Sequence, residues 1–213
     1  MPKVLSALVL LLLVGACGSI GVPGASGPSA SGVAVNASDL PKDMHRCDLS
    51  GDINSYLKKI ETKDPTTYST TKASWEAAQK NGATAADVEF YTDSAAHCAS
   101  VESNGSQITT ATYKLVVNFV IQFKDQASAE KGYKSDSTFG FSAASLKSSQ
   151  IPVIEGAATG LGPNSIVLTL AVAGQAFYVA VWQNKAFMVI LGILNIDTAT
   201  DKNVAVAENK RIT

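Results

Sequence analysis

Histidine is nearly absent from this chain: two in 213 residues, His45 and His97, which leaves little choice of general base for hydrolytic chemistry. There is no Gly-x-Ser-x-Gly, no His-Glu-x-x-His and no complete phosphate-cradling glycine loop. Gly160-Leu161-Gly162 lacks the third glycine and leads into a strand pattern. Basic clusters are missing too, and 17 Lys and Arg stand against 18 Asp and Glu, so no nucleic acid partner is expected. No cofactor motif is present. The one long apolar block, Val4 to Ala16, falls short of the roughly 20 residues a spanning helix needs.

No charged side chain occurs from Val4 through Ser38, while Lys3 supplies a basic start. This is the pattern of a secretory signal. The apolar block ends at Val14-Gly15-Ala16-Cys17, which resembles the lipobox of bacterial lipoproteins: an aliphatic residue, two small residues and a cysteine. The resemblance implies diacylglyceryl transfer to Cys17, cleavage before it, and a mature protein held on the extracytoplasmic side of the cell membrane. The alternative is an ordinary signal cleaved after Ala16 or near Ala25. Residues 1–16 are thus assigned to the signal, and 17–38 to the lipidated cysteine with a Gly/Ser/Ala tether. Residues 39–213 are assigned to one extracytoplasmic domain.

Once Cys17 is given to lipid, Cys47 and Cys98 remain, and an oxidising compartment favours their pairing. His45 and His97 sit beside these cysteines, so copper or zinc on the imidazoles, or a closed zinc site of all four, is the competing reading. The adjacent spacings do not suit chelation of one metal, and no metal is assigned.

Ile53, Tyr56, Leu57 and Ile60 have the i, i+3, i+4, i+7 spacing of an amphipathic helix, with Ser50 or Asp52 to cap it and Asp64-Pro65 to end it. A second helix is predicted from about Ser69 to Lys80, stopped at Asn81-Gly82. A strand beginning near Val88 leads into a helix capped by Asp93 or Ser94, and Tyr113 to Phe123 reads as a strand followed by a helix capped at Asp125. Ser165–Val172, Ala176–Gln183 and Ala186–Leu194 spell two tight hairpins, and Asp197 caps a last helix. The fold class is therefore α+β: a mainly antiparallel meander sheet with helices packed on one face and one disulfide.

Ser55-x-x-Lys58 and Ser69-x-x-Lys72 have the hydroxyl–amine spacing of penicillin-recognising enzymes, but the companion Ser-Asp-Asn and Lys-Thr-Gly are missing. Trp75, Trp182 and Gln183 are candidates for a ligand groove, with burial in the core as the plainer role of the tryptophans. The plan resembles bacterial envelope lipoproteins, and its meander sheet with a closing helix is similar to extracytoplasmic sensor domains of actinobacterial envelope proteins and kinases. That resemblance implies a non-catalytic binding or sensing module. Its partner would be a small molecule, an envelope polymer or a protein, met through the sheet face or the loop Gly156 to Pro163. The rival is a metal or redox protein built on His45, His97 and the cysteines, and a third possibility is an envelope hydrolase.

Overall fold

A computed structural model describes residues 27–213 apart from 136–138, 140–142 and 173. The expected signal and Cys17 lie outside the described residues. Chain order begins with α1 (Ala30–Val33), β1 (His45–Arg46), β2 (Gly51–Asp52), α2 (Ile53–Ile60), α3 (Pro65–Lys80), β3 (Ala83–Thr92) and α4 (Ala95–Ser103). It continues with β4 (Leu115–Phe123), α5 (Gln126–Lys134), α6 (Ala143–Ser148), β5 (Val153–Glu155), β6 (Asn164–Val172), β7 (Gln175–Asn184), β8 (Phe187–Leu194) and α7 (Thr198–Lys210). The strands form one antiparallel sheet in the order β1-β3-β4-β8-β7-β6-β5, with β2 also on β3.

Local chemistry sets the helix starts. Asp52 caps α2 by accepting the Asn54 and Ser55 backbone N–H groups, Ser94 caps α4, and Asp125 and Asp197 cap α5 and α7. Asp64-Pro65 opens α3 instead of merely closing α2: Asp64 accepts from Thr67 N–H and Pro65 takes the first helical position, where its missing N–H costs nothing. This helix thus begins four residues before the predicted Ser69 and adds one further turn at its start.

Alternation along the strands divides the core in two. Val88, Phe90, Leu115, Ile121, Met188 and Ile190 pack beneath α2, α3, α5 and α6. Val116, Val120, Trp182, Val189, Leu191 and Ile193 face the other way, against α1 and α7. The α+β class, the antiparallel sheet and the disulfide agree with expectation, but helices cover both faces. The reason is visible in β8, where Phe-Met-Val-Ile-Leu is an unbroken apolar run, so neither side can face water.

The predicted tether also changes. Ala30, Val33, Ala34 and Val35 are buried against the second face, so residues 30–38, expected in the tether, are part of the folded domain. Ser29 caps α1 by accepting Gly32 N–H, and Asn36 with Asp39 forms a reciprocal capping box on the following 3-10 turn. Small apolar residues need little volume to bury, which is why composition alone suggested a tether. The segment is pinned by Asn118, whose Oδ1 accepts Val35 N–H at 3.1 Å. Arg211 also donates to the Val33 and Ala34 carbonyls, at 2.9 Å each.

Candidate functional site

Cys47 and Cys98 are joined, with Cα atoms 5.2 Å apart, and the bridge ties the end of β1 to the first turn of α4. His45 is exposed on β1, while His97 lies on α4, its Nδ1 2.5 Å from Asp93 Oδ1 and its ring stacked 4.0 Å from that of Tyr113. A recess of about 280 Å3 opens beside the bridge. Its charged walls are already engaged: Arg46 donates through two nitrogens to Glu89, and Glu102 accepts from Lys63. Among the described residues no group of three or more His, Cys, Asp or Glu side chains could hold a metal ion.

Trp75, Trp182 and Gln183 do not share a groove. Trp75 packs beneath α3, whereas Trp182 is fully buried in the opposite layer, with Nε1 lacking a partner among the described residues. Gln183 follows Trp182 on the same strand and so points to the other face. Its amide is spent on Asn164 at 2.7 Å and the Lys185 carbonyl at 2.6 Å. The correction has a simple cause, since residues adjacent on a strand cannot both line one pocket. In the loop from Gly156 to Pro163, Ser165 Oγ donates to the Gly162 carbonyl at 2.6 Å and Thr159 Oγ1 to the Gly156 carbonyl at 2.9 Å, which fixes a compact turn. Of the Ser-x-x-Lys pairs, Ser55 Oγ donates to the capping Asp52 and Lys72 donates to Tyr68, which makes both part of helix surfaces.

A different site emerges between α3 and the first face of the sheet. The strand alternation that buries Phe90 and Phe119 also turns Val117 inward, and α2 adds Tyr56, giving an aromatic floor. Tyr56 and Phe90 stack with centroids 5.7 Å apart, Phe119 meets Tyr56 edge-on at 6.1 Å, and Phe139 stacks on Phe119 at 4.8 Å. The rings leave a cavity of about 230 Å3. Its rim is a line of hydroxyls from α3: Thr66, Thr67, Thr70, Thr71 and Ser74. Burial pushes the Tyr56 phenol up to about 12, so it is neutral and remains a hydrogen-bonding group. Among the described residues no charged side chain lines this cavity.

Phe139 holds a left-handed backbone, φ 52°, which an aromatic residue adopts at a cost of about 1–3 kcal/mol. Its ring stacks on Phe119 and closes the aromatic wall. Sequence reasoning missed this site although a signal exists. Positions 66, 67, 70, 71 and 74 repeat at i, i+1, i+4, i+5, i+8, a hydroxyl stripe on one helical face.

The opposite layer also holds buried acids. Glu208 is fully buried, accepts from Asn118 Nδ2 at 2.9 Å, and is held well above the usual carboxylate range by burial. Burial likewise raises Asp201 to about 7, and raises Asp87, where the nearby Glu89 charge adds to the effect. In each, burial works against the charged form, which is the cost of burying charge.

No family model and no curated protein matches the chain. Among solved structures it is similar to the extracellular domain of PknH from Mycobacterium tuberculosis, with a TM-score of 0.50 and 13% identity over 86% of this chain and 94% of that one. The likeness is one of fold: an α+β domain with a large antiparallel sheet.

Proposed function

We propose that the chain is a binding or sensing module of the cell envelope, anchored through lipid on Cys17, whose ligand enters the cavity between α3 and the sheet. The observation that carries the reading is the cavity: ring walls on one side, a hydroxyl rim on the other, and a strained phenylalanine completing the wall. Ligand sites are mostly apolar concavities with a few polar groups that fix orientation, which is the composition found here. The disulfide supports an oxidising compartment. The shared fold with an extracellular domain is consistent with that address.

Two variants test the parts separately. Cys17→Ser moves the protein from the membrane to the soluble fraction if lipid is the anchor; unchanged fractionation contradicts anchoring. Thr70→Trp places an indole at the exposed rim of α3. A small-molecule extract of the native envelope should raise the melting temperature of the unmodified protein and leave Thr70→Trp unmoved. Equal shifts in both place binding elsewhere, and no shift in either counts against a binding function.

A further inference from the structure

We infer that Glu208 controls whether segment 30–39 stays on the sheet. While its carboxyl carries a proton, Arg211 clasps the segment; when the proton leaves, Arg211 turns to the carboxylate and lets the segment go. The device is independent of the cavity, which lies on the opposite face.

Segment 30–39 makes no ladder with the sheet, and its own backbone bonds are local, within α1 and the 3-10 turn after it. Among the described residues, its hydrogen bonds to the rest of the domain run through three side chains. Asn118 Oδ1 accepts Val35 N–H, and Tyr91 Oη donates to the Val35 carbonyl at 3.3 Å. Arg211 spends Nε on the Val33 carbonyl, Nη1 on Asp39 Oδ1 and Nη2 on the Ala34 carbonyl.

Glu208 is bonded to one of these side chains and stands beside a second. Asn118 Nδ2 donates to Glu208 Oε1 and reaches the Ile190 carbonyl at 3.3 Å, which fixes the orientation in which Oδ1 meets Val35. Glu208 Oε2 is buried and has no hydrogen-bond partner among the described residues. Arg211 follows at i+3, on the same side of the helix end. The groups that face Glu208 are Asp39 from the segment, Arg211, Asn118 from β4 and Tyr178 from β7, whose phenol burial pushes up and keeps neutral. Arg211 is the cation in this set, and each of its three nitrogens is engaged with the segment.

An ionised carboxylate with one bare oxygen is costly in such a place, and burial accordingly favours the protonated form. Once ionised, Glu208 needs a second donor. Arg211 can serve only by giving up part of its hold on Val33, Ala34 or Asp39, and a hydrogen bond between two charged groups outweighs one to a neutral carbonyl. The carbonyls it leaves are satisfied by water as the segment lifts. Because the folded state binds the proton more tightly, the segment is held at low pH and released as pH rises through the value at which folded Glu208 ionises. Lifting it uncovers the apolar side chains of the second face that Val33 and Val35 cover.

Hydrogen exchange tests this at pH 6 and pH 9, each rate corrected for the intrinsic rate, in the unmodified protein and in Glu208→Gln. The amide of Val35 reports the segment, and that of Leu191 in β8 reports the whole domain. In the unmodified protein, Val35 should lose protection by about tenfold more than Leu191 as pH rises. In Glu208→Gln, whose side chain cannot ionise but still accepts from Asn118, the two should move together. The Asp201 contribution is common to both proteins and appears at Leu191. Val35 tracking Leu191 in the unmodified protein, or parting from it equally in both proteins, overturns the inference. If Glu208→Gln does not fold, the comparison of Val35 with Leu191 in the unmodified protein still decides.

Discussion

Asp201 shows how much one side chain can weigh. It is 2% exposed on α7, and burial lifts its carboxyl to about 7, against an ordinary value of 3.8. Between those values the folded state holds a proton that the unfolded state has released. Stability therefore falls as pH rises from about 4 to about 7 and stays lower above that. Glu208 acts in the same direction. In Asp201→Asn, the loss of unfolding free energy between pH 5 and pH 8 should shrink by about 1–3 kcal/mol, read from urea melts at the two values. An unchanged difference would mean that Asp201 ionises freely in the fold. At this scale the sequence was least legible. Positions 201, 204, 205, 208 and 212 form one buried stripe, but two of its members are acids and so read as surface. Asn118 is a similar case, a polar residue in an apolar strand whose partners lie 83 and 90 residues away.

Elements were more legible where short-range chemistry defines them. Asp52, Asp125 and Asp197 each cap the helix expected of them, and the β-hairpins joining β6, β7 and β8 fall at the glycine and asparagine turns. Reading failed where an element depends on a distant partner. The segment α1 to Asp39 has tether composition, yet Val33 is completely buried beside Leu191 and Val204 in the same layer. Val33→Asp should therefore destabilise the domain by about 3–5 kcal/mol in denaturant unfolding, since it buries an unpaired charge. A free tether would show no change. Gly132 offers a second test. A Cβ there would lie 2.6 Å from the Phe123 ring, so α5 sits on the sheet only because glycine lacks one. Alanine favours a helix by about 1 kcal/mol, but the clash costs more. Gly132→Ala should lower stability by about 1–2 kcal/mol net, measured by chemical denaturation.

For the molecule as a whole, the cysteine count and the expected compartment led to the disulfide, which closes a sequence separation of 51 residues between the β1 edge and α4. On the chain-entropy view, such a bridge restricts the unfolded chain by about 4 kcal/mol. The double variant Cys47→Ala, Cys98→Ala should lose roughly that much in unfolding free energy while keeping the sheet. The α+β class was legible from the meander, whereas the two-faced cover was not, because the meander says nothing of which helices return to which side. The cavity was hidden for the same reason: its rim is local to α3, but its floor comes from α2, β3, β4 and Phe139, which only the fold assembles.

The binding reading stands or falls on what occupies the cavity in the native envelope. Protein recovered gently from its native source and weighed intact by native mass spectrometry should carry a small adduct, released on denaturation and missing from Thr70→Trp. An adduct-free protein, or the same adduct on both forms, would contradict a ligand site between α3 and the sheet.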